Sequence, residues 1–85
     1  MACHNIMGVL INHRTKQAPK VQEILTKHGC CIKMRIGLHE TDNVCSNEGL
    51  VLLQLSGTEG EIKALEDDLN SLEGIKAQNM KICSD

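Results

Sequence analysis

The side chains able to do chemistry here are four histidines and five cysteines, set in a chain without a single Phe, Tyr or Trp. Imidazole and thiolate are the ligands that a borderline transition metal such as nickel or zinc selects. His28, His39 and Cys45 are the candidate metal set, with His39 eleven residues after His28 and six before Cys45. A plainer reading makes His28 a helix-end residue, where a cation suits the dipole, and leaves His39 exposed at a strand end. His4, with Cys3 beside it, and His13 point to a metal less directly. Catalysis has no visible machinery. Ser56 lacks an evident base, and Glu66, Asp67 and Asp68 read as a solvated helix face, so the expectation is a protein that is not an enzyme.

An odd cysteine count without a secretory signal predicts reduced thiols and a cytoplasmic location. Cys30 and Cys31 are neighbours, and Cα atoms about 3.8 Å apart are too close for an unstrained bridge. One of them is expected to be a buried small hydrophobe and the other an exposed thiol. A thiol redox sensor using Cys30, Cys31 or Cys45 is one alternative function.

These residues need elements to position them. Ile6 to Ile11 is an apolar run ended by Asn12, and it reads as a fully buried strand. His13 to Ala18 is a polar loop. Pro19 suits a first helical turn, and Val21, Ile24, Leu25 and His28 then recur at helical spacing. Gly29 is the expected stop. Ile32, Met34, Ile36 and Leu38 alternate with Lys33, Arg35, Gly37 and His39, as in a strand with one buried face. Glu40 to Gly49 is a polar connection, and Leu50 to Leu55 is a second apolar strand. Thr58 and Glu61 form a capping-box pair. The helix they open turns Ile62, Leu65, Leu69 and Leu72 inward, and Gly74 closes it. Ile75 to Ile82 makes a last strand.

The order is β-α-β-β-α-β, which predicts one α+β domain over residues 1–85 with an ordered core of about 6–82. Its architecture is a ferredoxin-like sandwich: a four-stranded antiparallel sheet with two helices on one face. The first and third strands should be central, because they are apolar, while the second and fourth carry the cations that protect edges. Both central strands are apolar on both faces, yet two helices cover only one. A further copy of the chain, in a dimer or tetramer, is the simplest cover for the other.

Composition excludes several uses of this fold. With no Phe, Tyr or Trp, base stacking on the central strands in the manner of RNA-binding domains of this topology is ruled out. A net charge of −2 without clustered cations gives no reason to expect direct nucleic-acid binding. The longest apolar runs are far too short for a membrane span. The cysteines match neither an iron–sulfur run nor a Cys-x2-Cys copper loop.

Val9 to Ile36, with Asn12 ending a strand, then Val21, Ile24, Leu25, Gly29 and Ile32, resembles an ACT domain, although Ala18 and Pro19 replace its loop glycine. His39 to Gly74 resembles the C-terminal regulatory domain of nickel-responsive repressors, with Gly37 where the strand's first histidine would stand. Over Ile6 to Ile82 the chain resembles a family of small stand-alone regulators of iron-only hydrogenase systems. These resemblances imply an oligomeric, ligand-responsive regulatory domain. The effector would lie at the first βα loop, on Asn12, His13 and Arg14, with the Arg14 guanidinium anchoring a carboxylate. His39 and Cys45, flanking the β2–β3 connection, would suit a metal instead. The DNA-binding arm of such repressors would precede Ile6, where only five residues stand, so regulation is expected to pass through a protein partner or a separately encoded element. An assembly subunit with no small-molecule ligand is the other alternative.

Overall fold

The computed structural model describes residues 2–12, 17–38 and 48–84. Its elements run β1 (Cys3–Asn12), α1 (Ala18–Lys27), a 3-10 turn (Gly29–Cys31), β2 (Ile32–Leu38), β3 (Glu48–Leu55), α2 (Glu59–Asn70) and β4 (Ile75–Cys83). They build the expected βαββαβ fold. The antiparallel sheet has the order β2-β3-β1-β4, so the two apolar strands are central.

Alternation along each strand divides its residues between two faces. Met7 and Val9 of β1, Leu53 and Leu55 of β3, and Ile75 and Ala77 of β4 point to the helices and are buried. Val21 and Leu25 of α1 meet them, as do Ile62, Leu65 and Leu69 of α2. This core is entirely aliphatic and thiol, with no buried polar residue among those described. Helix α2 starts where the capping box predicts. The Glu61 N–H donates to the Thr58 Oγ1 at 3.1 Å, and the Thr58 N–H donates to the Glu61 Oε1 at 3.2 Å. That satisfies two donors a helix start otherwise leaves open. Gly74, with φ of 81°, makes the left-handed turn into β4.

Gly29 stands just past the end of α1, as expected: the helix ends at Lys27 with His28 as its cap, and Gly29 opens the 3-10 turn. Two expectations need correction. The apolar face of β2 is not its buried one. A register shift between Ile32 and Met34 sets Ile32 opposite Leu55 and against the core, but sets Met34 opposite Gln54 and Ile36 opposite Leu52, on the helix-free face. Nor are all the cysteines reduced. β1 starts at Cys3 and β4 ends at Cys83, the register puts the two opposite each other, and they form a disulfide. With β1 begun at Ile6, where its apolar run starts, Cys3 falls outside the strand and this pairing stays hidden.

Candidate functional site

The helix-free face belongs to the alternate residues, and its rows follow from the register. Leu50, Leu10 and Lys76 stand side by side on β3, β1 and β4. The next row is Ile36, Leu52, Gly8 and Gln78, and the next is Met34, Gln54, Ile6 and Met80. Met34, Ile36, Met80 and Ile82 are 44–54% exposed, high values for large apolar side chains. At the end of the face the register pairs Asn12 with Glu48, and Lys76 is the cation of its β4 side.

Two adjoining hollows open at this corner of the sheet. One, of about 210 Å³, is lined by Leu10, Asn12, Gly74 and Lys76. The other, of about 610 Å³, is lined by Gly8, Leu10, Leu50, Lys76 and Gln78. Asn12, predicted for an effector site, thus lies at a concavity. It ends β1, and its N–H donates to the Gly74 carbonyl at 2.9 Å. Its predicted companions His13 and Arg14 lie outside the described residues. Lys76 was overlooked as a site residue, since a lysine on an edge strand reads first as edge protection. The signal that could have found it is its row-mate Leu10, which makes it a cation flanked by apolar residues.

The candidate metal residues are divided. His39 and Cys45 lie outside the described residues. His28 caps α1 and reaches across to α2, where its Nε2 donates to the Asp68 Oδ2 at 2.8 Å, with the side chain 14% exposed. The Lys27 Nζ approaches the same oxygen at 3.5 Å. The hydrogen bond from His28, with help from the Lys27 charge, holds the Asp68 carboxyl below its ordinary range. Among the described residues, no three His, Cys, Asp or Glu side chains converge as a metal site would require.

Of the paired cysteines, Cys31 is buried and Cys30 exposed, as expected. Burial pushes the Cys31 thiol up, with the Glu61 charge adding to it, which lowers its thiolate fraction and hence its reactivity. Beside the larger hollow, which Asn70 and Ala77 also line, α2 closes the outer edge of β4. The Ala77 N–H donates to the Asn70 Oδ1 at 2.8 Å, and the Asn70 Nδ2 donates back to the Ala77 carbonyl at 2.9 Å. The Asn79 N–H donates to the Glu66 Oε2 at 2.8 Å. These side chains occupy edge groups that another strand would otherwise pair with.

Comparison with known proteins gives this geometry a setting. A family described as "TM1266-like: Iron-only hydrogenase system regulator, putative" matches residues 4–79. Among solved structures, the uncharacterized protein TM1266 from Thermotoga maritima superposes with a TM-score of 0.83 at 20% identity, over 96% of this chain and 100% of that one. The regulatory subunit of aspartate kinase from Thermus thermophilus matches with a TM-score of 0.58 at 19% identity, over 93% of this chain and 53% of that one. The apo form of CPII, a nitrogen regulatory PII-like protein from Thiomonas intermedia K12, matches with a TM-score of 0.54 at 7% identity, over 95% and 92%. At such identities the likeness is one of fold. No match was found among curated proteins.

Proposed function

The chain belongs to this TM1266-like family of iron-only hydrogenase system regulators, and we propose that it acts there as a non-enzymatic, self-associating regulatory domain responsive to a small effector. The observation that carries the reading is the apolar helix-free sheet face. Met34, Ile36, Met80 and Ile82 are about half exposed on it, and no element of the described chain covers them. Water contact on an aliphatic surface of that extent is unfavourable, and a second copy of the same face removes it. An effector bound where two copies meet can favour one assembly over another, and that differential affinity is what regulation requires.

Asn12, His13 and Arg14 are the proposed effector loop, beside the hollow that Asn12 lines. A metal at His28, His39 and Cys45 is the competing ligand reading. His28 would have to give up its bond to Asp68 if Nε2 were the ligating nitrogen, so a metal bound there should loosen α1 from α2.

Sedimentation over a hundredfold dilution from micromolar concentration tests the assembly. A dimer or tetramer is expected, and replacing both Ile36 and Met80 with lysine should dissociate it while leaving the helical content unchanged. A monomer of 9.3 kDa at every concentration would overturn the proposal.

A further inference from the structure

Gly8 has no reason within this chain to be glycine. It lies mid-strand in the sheet's central β1, and its backbone is not left-handed. A Cβ built there would meet only the Leu52 Cδ2, at 4.0 Å, which is ordinary contact. Glycine weakens a strand interior, and where neither φ nor packing demands it, it often marks a place where something else approaches the backbone closely. The missing side chain leaves a low floor between Leu52 and Gln78, inside the hollow of about 610 Å³. Small-ligand sites occupy a few hundred to a thousand cubic ångströms, with mostly apolar walls and a few placed polar groups.

The polar groups here are specific. Lys76 lines the hollow and, among the described residues, has neither an ion-pair nor a hydrogen-bond partner. Lys63, Lys81 and Lys27 each have an acidic partner. Gln78, two residues along on the same face, adds an amide donor. The floor is Gly8, with Leu10 and Leu50 as walls.

From this we propose that the hollow binds a monocarboxylate with an unbranched apolar chain. The carboxylate pairs with the Lys76 ammonium and takes a hydrogen bond from the Gln78 amide, and the chain lies over Gly8 against Leu10 and Leu50. A single cation suits a single negative charge, whereas a polyphosphate would call for several. Where a second copy covers this corner, the Lys76 ammonium needs an anionic partner, because a buried unpaired charge is costly. The carboxylate removes that cost. It thereby names the effector class of the regulatory reading, on which only its effect on assembly depends.

Octanoate, below its micellar range at neutral pH, is the probe, and calorimetric titration is the measurement. Saturable binding with one site per chain is expected. Lys76→Met, which keeps the apolar stem and removes the charge, should weaken it at least tenfold. Gly8→Val should abolish it by filling the floor, and Gly8→Ala should weaken it while leaving the melting temperature unchanged or raised. Octylamine and octanol should bind at least tenfold more weakly than octanoate. Failure of the wild type to bind octanoate, equal binding of octylamine, or wild-type affinity in Lys76→Met would each overturn the proposal. Sedimentation with and without octanoate separates the two readings. Binding that leaves the assembly unchanged supports the site and counts against the regulatory role.

Discussion

Asp68 accepts a hydrogen bond from the His28 Nε2 at 2.8 Å, with the Lys27 Nζ 3.5 Å from the same oxygen, so one carboxylate ties the end of α1 to α2. The sequence shows a histidine at a helix end and an acidic run on the next helix, but not that they meet, because the meeting depends on how two helices pack across one sheet. The pKa direction gives a test. A carboxyl whose folded pKa lies below its ordinary 3.8 contributes stability above that value and loses it as pH falls through the folded pKa. Asp68→Asn should therefore melt below the wild type at neutral pH, with the difference closing as pH falls below 3.8. Thermal melts of both proteins between neutral pH and about pH 2 would check this. A gap that stays constant across that range would mean the carboxylate charge contributes nothing.

At the scale of elements, most of the fold is written in residue order. Alternating or continuous apolar runs mark the strands, Thr58 and Glu61 mark the start of α2, and apolar content separates central from edge strands. The bulge at Ile32 to Met34 is different. Strict alternation cannot reveal an inserted residue, and the insertion moves Met34 and Ile36 from the core to the open face. Edge protection is equally hidden, because Asn70 looks like an ordinary C-terminal helix residue until its amide is seen to close both backbone groups of Ala77. Each such bond contributes about 1 kcal/mol net. Asn70→Ala should then cost about 1–2 kcal/mol and lower the melting temperature by roughly 5–10 °C in a domain of this size. It should also speed hydrogen exchange at the Ala77 amide. Asn70→Asp, which keeps the acceptor, should preserve most of that amide's protection. Unchanged exchange at Ala77 in Asn70→Ala would show that the edge is closed by something other than this side chain.

The whole molecule is a sheet with its two terminal strands adjacent, and the Cys3–Cys83 disulfide fastens them at their outer ends across 80 residues of sequence. Five cysteines with no evident pattern argue for free thiols when β1 is begun at Ile6. The bridge becomes visible only once β1 is carried back to Cys3 and paired with β4. A crosslink closing a loop that long removes much of the unfolded chain's freedom, worth up to about 4.5 kcal/mol on chain-entropy grounds, and measured values commonly fall short of that. A domain of this length is only marginally stable, so a contribution of that size is a large share of its stability. Reduction with dithiothreitol should therefore lower the melting temperature by roughly 10 °C or more. Cys3→Ser should melt near the reduced wild type and lose its response to reductant. Cys30→Ser should keep both the higher melting temperature and the response, since Cys30 is an exposed free thiol. Thiol counts of the unfolded protein before and after reduction give the bridge directly, two more thiols appearing in the wild type and none in Cys3→Ser. A melting temperature indifferent to dithiothreitol would mean that the closed sheet holds its ends together without the sulfur bridge.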